Sequence, residues 1–282
     1  MKVTEIKPGI FACLMGNETA NAGLVVSEQG VIVIDTLDKP ARARQLAITI
    51  EGMIGKPVLF VVNTHHHYDH IFGNQVFAAP VIAHSALPGQ LAEAVARDLM
   101  PVAIAAWVST HPEDRWLANE LTVTYPTLTF EQRLTVDLPP HRLVLQHLGG
   151  HTPDTIVVDL PEEGVLFAGD LVFEGRMPFL RQAHIADTIQ ALRTLEQLGA
   201  RTIVPGHGAL CDVAYVVRVR EYLEALRDRV GELIARGWEP GDVIESDLLP
   251  KWWTSDRPDL LRANIARVYD ELSDEPSWGG TS

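Results

Sequence analysis

The feature that most constrains this chain is a loop rich in metal-binding side chains, directly after an apolar segment. Val58–Val62 is apolar throughout and lies between Pro57 and Asn63, which predicts a buried strand of a sheet covered on both faces. Residues 64–70 (THHHYDH) follow it, at the strand end where open α/β sheets place their sites. Four side chains of this loop can bind a divalent cation: His65, His67, Asp69 and His70.

The spacing of these four residues favours two neighbouring metals over one. His65 and His67 are two positions apart, so on an extended backbone they point the same way. Asp69 and His70 come as the chain turns toward the next helix, and can face a different point. An expression tag or a surface histidine cluster has a similar composition, but a tag lies at a terminus without a strand before it.

Three further ligand types follow, each predicted at the end of a strand. His151 lies in GGHTPD (149–154), Asp170 in FAGD (167–170) and His207 in VPGHG (204–208). Small residues beside each of them let the backbone approach a crowded site. A lone histidine is usually structural and Gly-Asp is often a turn, but the three in order form a strong signal.

With these pieces together, the chain resembles the metallo-β-lactamase superfamily, whose hallmark is His-x-His-x-Asp-His followed by a separate His, Asp and His. The resemblance covers roughly residues 1–212. It implies an α/β (α+β) fold, a four-layer αββα sandwich with the metals between the sheets at one edge. It also implies a ligand set. His65, His67 and His151 would hold the first metal, Asp69, His70 and His207 the second, and Asp170 would bridge the two.

The donor set predicts the chemistry. Imidazole and carboxylate ligands suit Zn²⁺, and an all-nitrogen-and-oxygen site also accepts Fe or Mn. Two adjacent cations repel, so a bridging carboxylate and a bridging hydroxide are expected, and water between such ions ionises near neutral pH. We predict that this hydroxide is the nucleophile, oriented with the help of Asp69 as the catalytic residue. The first metal would polarise a carbonyl and the second would stabilise the leaving atom.

Position 170 narrows the branch of the superfamily, because cysteine-containing zinc β-lactamases place a Cys there. Asp170 is similar to the residue in glyoxalase II and lactonases. The C-terminal part lacks an evident basic cluster for a glutathione carboxylate, and Phe173 stands where acyl-homoserine lactonases carry Tyr. Residues 160–173, the Pro-Gly-His-Gly turn and the helical tail resemble bacterial cyclase-like or quinoprotein-relay metallohydrolases.

The predicted function is therefore hydrolysis of an ester, thioester, lactone or related acyl bond. Alternatives on the same fold are a β-lactam hydrolase and an iron-dependent, sulfur dioxygenase-like redox enzyme. A diiron reductase is a second redox enzyme of this fold. Such reductases usually have Glu where His67 stands, so His67 disfavours this assignment. A metal-free binding protein is least favoured, since all seven ligand positions are present.

Charge and composition restrict the partners and the compartment. A formal net charge of −14 over 282 residues argues against nucleic acid or an anionic membrane as partner and leaves a small-molecule substrate. Cys13 and Cys211 do not form a disulfide framework. The N-terminus has no apolar signal-peptide core and no run reaches membrane-spanning length, so a cytoplasmic location is expected.

The predicted organisation is a domain at 1–212 and a helical extension at 213–282 packed on it. Helices are predicted at 41–50, 186–198, 215–236 and 260–272, with one around 91–99. Residues 86–130 are predicted to be an irregular excursion. Its aromatic residues either line a pocket or simply pack: Trp107, Trp116, Tyr125 and Phe130.

A few other side chains have open roles. Trp252, Trp253 and Tyr269 are candidates for the pocket wall. Arg176 either meets a substrate carboxylate or forms a structural salt bridge, and the salt bridge is favoured. His66 alternates with the ligands and should point away from the metals. The remaining histidines are assigned to the surface or to support of the ligands, with His184 bordering the pocket: His84, His111, His141, His147 and His184.

Overall fold

The computed structural model describes residues 1–16, 18–251 and 257–273, which form two β-sheets flanked by helices. The first sheet has the order β1-β2-β3-β4-β5-β6-β7 and the second the order β12-β11-β10-β9-β8. Strands of the first sheet are β1 (Lys2–Lys7), β2 (Ile10–Leu14), β3 (Ala22–Val26), β4 (Val31–Ile34), β5 (Val58–Val62), β6 (Val81–His84) and β7 (Leu128–Phe130). Strands of the second sheet are β8 (Arg133–Leu138), β9 (His141–His147), β10 (Ile156–Leu160), β11 (Val165–Phe173) and β12 (Thr202–His207).

The helices of the described residues lie on the outer faces of the sheets and at one end. They are α1 (Pro40–Met53), α2 (Tyr68–Ile71), α3 (Leu87–Asp98), α4 (Pro101–Thr110), α5 (Trp116–Asn119), α6 (Ile185–Gln197), α7 (Val213–Ala235), α8 (Pro240–Ile244) and α9 (Pro258–Leu272). None of the helices in these residues combines the length and the apolar character needed to cross a bilayer.

Alternation along the buried strands produces the layers. In β5, Val62 faces the second sheet, whereas Val61 faces the cluster that contains Leu46 of α1. In β11, Phe167 faces the first sheet, whereas Leu166 packs with α6 and α7. Successive side chains of a strand point to opposite faces, so apolar runs of this kind need cover on both. The result is the predicted αββα order of helix, sheet, sheet and helix.

The long C-terminal helices pack on the outer face of the second sheet. Leu226 of α7 and Val268 of α9 are fully buried in the same cluster as Val172 of β11. Seven α7 side chains at helical spacing are buried, which explains why this segment forms a long helix. Helices α7 and α9 begin and end within a few residues of their predicted bounds, 215–236 and 260–272.

Residues 86–130 contain α3, α4 and α5, and β7 at their end. The helix predicted around 91–99 is confirmed as α3, whereas the prediction of an irregular excursion was wrong for α4 and α5. Prolines made the segment look broken, but Pro88 and Pro101 stand in the first turns of α3 and α4, where a missing backbone N–H costs nothing. No residue of α4 is buried, so its sequence has no regular pattern of buried positions that would predict a helix.

Candidate metal centre

The predicted ligands meet at one edge of the two sheets. His65 and His67 lie on the loop after β5, and Asp69 and His70 lie in the short helix α2. His151 follows β9 in the connection to β10. The connections of both sheets therefore converge on one point.

Asp170 lies within β11, which differs from its predicted strand-to-loop position, whereas His207 is the last residue of β12, at a strand end as predicted. Strand β11 continues to Phe173, and Phe173 pairs with His207 in the parallel register of β12. The register shifts at Gly169 and Pro205, and Gly169 has a positive φ of 52°. The pairing resumes beyond this irregularity, so both side chains are held by the rigid sheet.

Asp170 occupies the centre of the cluster, with its two carboxylate oxygens facing different histidines. Its Oδ1 lies 3.1 Å from Nε2 of His70 and 3.4 Å from Nε2 of His207. Its Oδ2 lies 3.5 Å from Nε2 of His151 and 3.8 Å from Nε2 of His65. The carboxylate thus stands between two sets of imidazoles.

The ligand atoms fall into two groups, each within 4.8 Å: His65, His67, His151 and Asp170; and Asp69, His70 and His207. Nδ1 of His67 lies 3.1 Å from Nε2 of His151, and Oδ2 of Asp69 lies 3.3 Å from Nε2 of His207. His67 and Asp69 are half-buried, whereas the other five are buried. The cluster therefore reaches solvent on the side of His67 and Asp69.

Asp35 orients His70, a member of the group with Asp69 and His207. Its Oδ2 accepts hydrogen bonds from Nδ1 of His70 and Oγ1 of Thr64, both at 2.7 Å, and its Oδ1 accepts from the Thr64 amide at 2.8 Å. Such a contact fixes the proton on Nδ1 and leaves Nε2 of His70 available to the cluster. No sequence pattern predicted this role, although Asp35 directly follows β4, the neighbour of β5.

His66 points away from the cluster, as predicted. Its Nδ1 lies 2.8 Å from Oδ1 of Asp154, and both residues are buried. His67 turns its Nε2 outward to Oε1 of Gln182 and its Nδ1 inward. His66 and His67 are therefore each held by a different neighbour.

Burial and mutual proximity set the protonation of the metal-free cluster. Burial holds the pKa of His151 down at about 3, and burial with the nearby His70 holds the pKa of His65 well below its usual range. Burial also opposes the charged form of His207, but Asp170 overrides it and raises that pKa to about 9. His207 and His70 in turn hold the pKa of Asp170 well below its usual range, against burial. Protons and cations thus compete for the same atoms.

The arrangement fits divalent cations. Nε2 of His65, Nε2 of His70 and Oδ1 of Asp170 are buried and have no hydrogen-bond partner of proper geometry. Buried polar atoms are rarely left without a partner, and these three all point into the cluster. The donors are imidazole nitrogens and carboxylate oxygens, a set that binds zinc, iron or manganese.

Glycine beside the ligands is a packing requirement. A Cβ at Gly206 would lie 1.9 Å from Oδ1 of Asp170, and one at Gly169 would lie 3.0 Å from Cβ of Thr64. The first distance is far below van der Waals contact. Small residues beside Asp170 and His207 were predicted on these grounds.

Arg176 does not form the salt bridge that the sequence analysis favoured. Its guanidinium contacts Nδ1 of His207 at 3.0 Å, and no ion pair of Arg176 occurs in the described part of the chain. Arg176 therefore lies at the rim of the cluster.

His184, which was predicted to border the pocket, caps α6, where its Nδ1 lies 3.1 Å from Oδ2 of Asp187.

Several of the aromatic residues that were candidates for the pocket wall contact other parts of the fold. Trp107 and Trp116 both donate to Asp114, at 3.0 and 3.1 Å, and Trp116 packs on Phe72 just after α2. Tyr269 is buried and donates to the carbonyl of Trp238, so it does not line the cluster. The candidates Trp252 and Trp253 lie outside the described residues.

Comparisons with known proteins agree with this geometry. Residues 15–207 match the metallo-beta-lactamase superfamily. The chain belongs to this superfamily of metallo-hydrolases.

Individual relatives carry different names. The chain is 29% identical over 201 residues to "Acyl-coenzyme A thioesterase MBLAC2" of Gallus gallus, covering 67% of this chain and 72% of the relative. It is 24% identical over 269 residues to "Linear primary-alkylsulfatase" of Pseudomonas sp., covering 80% of this chain but 49% of the relative. The chain thus spans about half the length of that alkylsulfatase.

A solved structure extends the likeness in fold to nearly the whole chain. A metallo-beta-lactamase family protein from Thermus thermophilus superposes with a TM-score of 0.67 at 19% identity, covering 94% of this chain and 93% of that protein. At this identity the likeness concerns the fold.

Proposed function

We propose that this protein is a binuclear metal-dependent hydrolase of an ester, thioester, lactone or related acyl bond in a small molecule. The observation that carries the proposal is the position of Asp170, whose two oxygens face separate sets of imidazoles. A carboxylate so placed is suited to two cations rather than one. The site belongs to residues 1–212, with residues 213–282 as a helical extension on the same domain.

The proposed ligands follow the two observed groups. His65, His67 and His151 would hold one cation, Asp69, His70 and His207 the other, and Asp170 would contact both. Zinc is the cation we propose, since it suits this donor set, and iron or manganese are the alternatives. Bound cations of this kind supply Lewis acidity toward a carbonyl and activate water near neutral pH.

The chain's own residues supply orientation and access. Asp35 holds His70 by its Nδ1, and β11 and β12 fix Asp170 and His207 in the sheet. Asp69 lies on the solvent side, where a substrate and water arrive, and its carboxylate can accept a hydrogen bond from the attacking water. Burial raises the pKa of both Cys13 and Cys211 to about 12, so neither thiol is poised as a nucleophile.

The name of one relative supports the acyl-bond proposal without fixing the substrate. One relative is named a thioesterase and another an alkylsulfatase. A thioester contains an acyl bond, whereas an alkyl sulfate does not, so the first name supports the proposal and the second gives a competing class. We place thioesters and esters first on that ground.

The metal content of the purified protein, followed by a substrate panel, tests the proposal. We expect about two zinc ions per chain and turnover of at least one thioester, ester or lactone that a chelator abolishes. The panel includes an alkyl sulfate and a β-lactam as competing classes. Predominantly iron, with oxygen consumption and no hydrolysis, would establish the redox alternative instead.

Asp69→Ala is expected to abolish turnover with the fold intact, because it removes a ligand of one group and the acceptor on the solvent side. Rates on the best panel substrate and a far-ultraviolet circular dichroism spectrum measure the two effects. Asp98→Ala, at an exposed site at the end of α3, is the matched control and should keep full activity. Full activity of Asp69→Ala would refute the proposed mechanism.

A further inference from the structure

The connection between β11 and α6 lies against the cluster. Gln182, near the end of this connection, contacts Nε2 of His67 through Oε1. Nδ1 of His67 is the ring atom that faces His151. An acceptor at Nε2 keeps the proton there and leaves the lone pair of Nδ1 to face inward, so Gln182 sets both the tautomer and the direction of this ring.

Helix α9 holds the same connection through a polar stripe. Asn264, Arg267 and Glu271 are three and four positions apart, and so share one face of the helix. The Asn264 side chain is fully buried. Its Nδ2 donates to the carbonyl of Pro178 at 2.8 Å, and its Oδ1 accepts from the amide of Leu180 at 3.1 Å.

The other two residues of the stripe fix the far side of Gln182. Arg267 Nε donates to the carbonyl of Ala183 at 2.7 Å. Glu271 accepts from the amides of Ile185 and Ala186 at 2.6 and 3.0 Å, which satisfies free N–H groups in the first turn of α6. The backbone is therefore clamped at position 180 on one side of Gln182 and at position 183 on the other.

We propose that α9 is a positioning element of the metal centre, which acts through Gln182 on His67. The helix lies beyond residue 207, where the match to the superfamily ends, and contributes no ligand. Its stripe fixes the connection that carries Gln182, and Gln182 fixes the one imidazole of the cluster that lies half-exposed on a loop. Arg267 and Gln182 act as positioning residues in this proposal.

The inference rests on the proposed function only in taking His67 as a metal ligand. Loss of a residue that orients a ligand typically lowers metal affinity about 10- to 100-fold. We expect about the lower figure for Gln182→Leu, because Gln182 is exposed and water can partly replace its acceptor. The affinity of the group around His70, which Asp35 holds, should not change.

Zinc titration of the chelator-stripped protein, in competition with a chromophoric chelator, provides the first test. Arg267→Met keeps the side-chain stem but removes the donor to Ala183, and it is less disruptive than a change at the fully buried Asn264. We expect Gln182→Leu and Arg267→Met each to weaken one zinc equivalent and leave the other unchanged. Gln182→Glu retains an acceptor and adds a negative charge, so it should bind zinc at least as tightly as the wild type. Gln190→Leu, on the exposed face of α6, is the matched control.

The double variant Gln182→Leu/Arg267→Met tests whether the two residues act in series. If α9 acts through Gln182, the double variant should bind zinc no more weakly than the weaker-binding single variant. The reason is that Gln182→Leu already removes the contact through which Arg267 acts on His67. Additive losses would overturn the proposal, as would single variants with wild-type affinity at both equivalents.

Imidazole ¹⁵N spectra of the metal-free protein give a readout that needs neither zinc nor substrate. We expect His67 to carry its proton on Nε2 in the wild type and to become a mixture of tautomers in both single variants. An unchanged His67 signal in Arg267→Met would overturn the proposal. A wild-type protein that binds zinc but hydrolyses nothing on the panel would refute the proposed function alone.

Discussion

At the residue scale, the seven candidate ligands could be selected from the sequence because they are dense in rare residue types and appear in a fixed order. Their supporting residues could not. Asp35 and Gln182 are single polar residues, far in sequence from the rings they contact, and only the fold brings them there. Gly206 was predicted in part. A small residue was expected beside the ligand, but only the fold shows that a Cβ at this position would lie 1.9 Å from Oδ1 of Asp170.

Asp159 provides a residue-scale prediction away from the metal centre. Burial raises its pKa to about 6, with Arg133 opposing the rise and Glu163 adding to it. Its folded pKa exceeds the unfolded value, so the protonated carboxyl is favoured in the folded state. This favourable contribution is present below about pH 3.9 and is lost as the pH rises through about 6. Above that pH, the buried carboxylate costs stability.

Asp159→Asn should therefore stabilise the protein at pH 8, on the order of 1–2 kcal/mol, and bring no gain at pH 4. Urea unfolding of both proteins at the two pH values measures the difference. Asp137→Asn, an exposed carboxylate on β8, is the control and should show no such dependence. An equal gain at both pH values would show that charge burial is not the cause.

At the element scale, apolar periodicity predicted the sheets and the long helices, because each buries one regular face. It failed for β1, an edge strand with no fully buried residue, and for α4, which buries none. It also ended β11 and β12 too early. Gly169 and Pro205 indicate a break to a sequence reader, whereas the parallel pairing bends there and continues to Phe173 and His207.

Helix α7 should be a major source of stability. Leu226 is fully buried in the cluster that α7 shares with α6, α9 and β11, so Leu226→Ala leaves a cavity and should cost about 2–5 kcal/mol of unfolding free energy. Val102→Ala, at a position that is 76% exposed in α4, should cost less than about 0.5 kcal/mol. Denaturant titration of the two variants provides the comparison. A similar cost for both would contradict the observed packing of α7.

At the scale of the whole molecule, the candidate metal centre lies between the two sheets. Four of its residues follow β5 of the first sheet, and the other three come from β11, β12 and the connection after β9 in the second, so cations that bind there would link the two halves of the sandwich. The class of protein could be predicted from the sequence because this convergence requires a distinctive set of residues. The substrate could not, because the residues that select it carry no fixed pattern.

Zinc should accordingly stabilise the folded chain by mass action, since the unfolded chain has no assembled site. Zinc at 100 times its dissociation constant contributes about 2.7 kcal/mol per site. Thermal unfolding with and without a chelator measures the effect. Replacement of both Asp170 and His207 by Ala should remove most of the difference. A melting temperature that does not respond to zinc would contradict a preformed site.

The segment that contains α3, α4 and α5 has an evolutionary consequence. It packs against Phe72, beside the helix that carries Asp69 and His70, and its apolar residues share a cluster with Ile71 of that helix and Ala83 of β6. Substitutions in this cluster therefore act on the helix that carries Asp69 and His70, whereas α4, which buries no residue, can vary without disturbing it. A lineage can thus keep the candidate site and exchange the exposed surface that α4 presents.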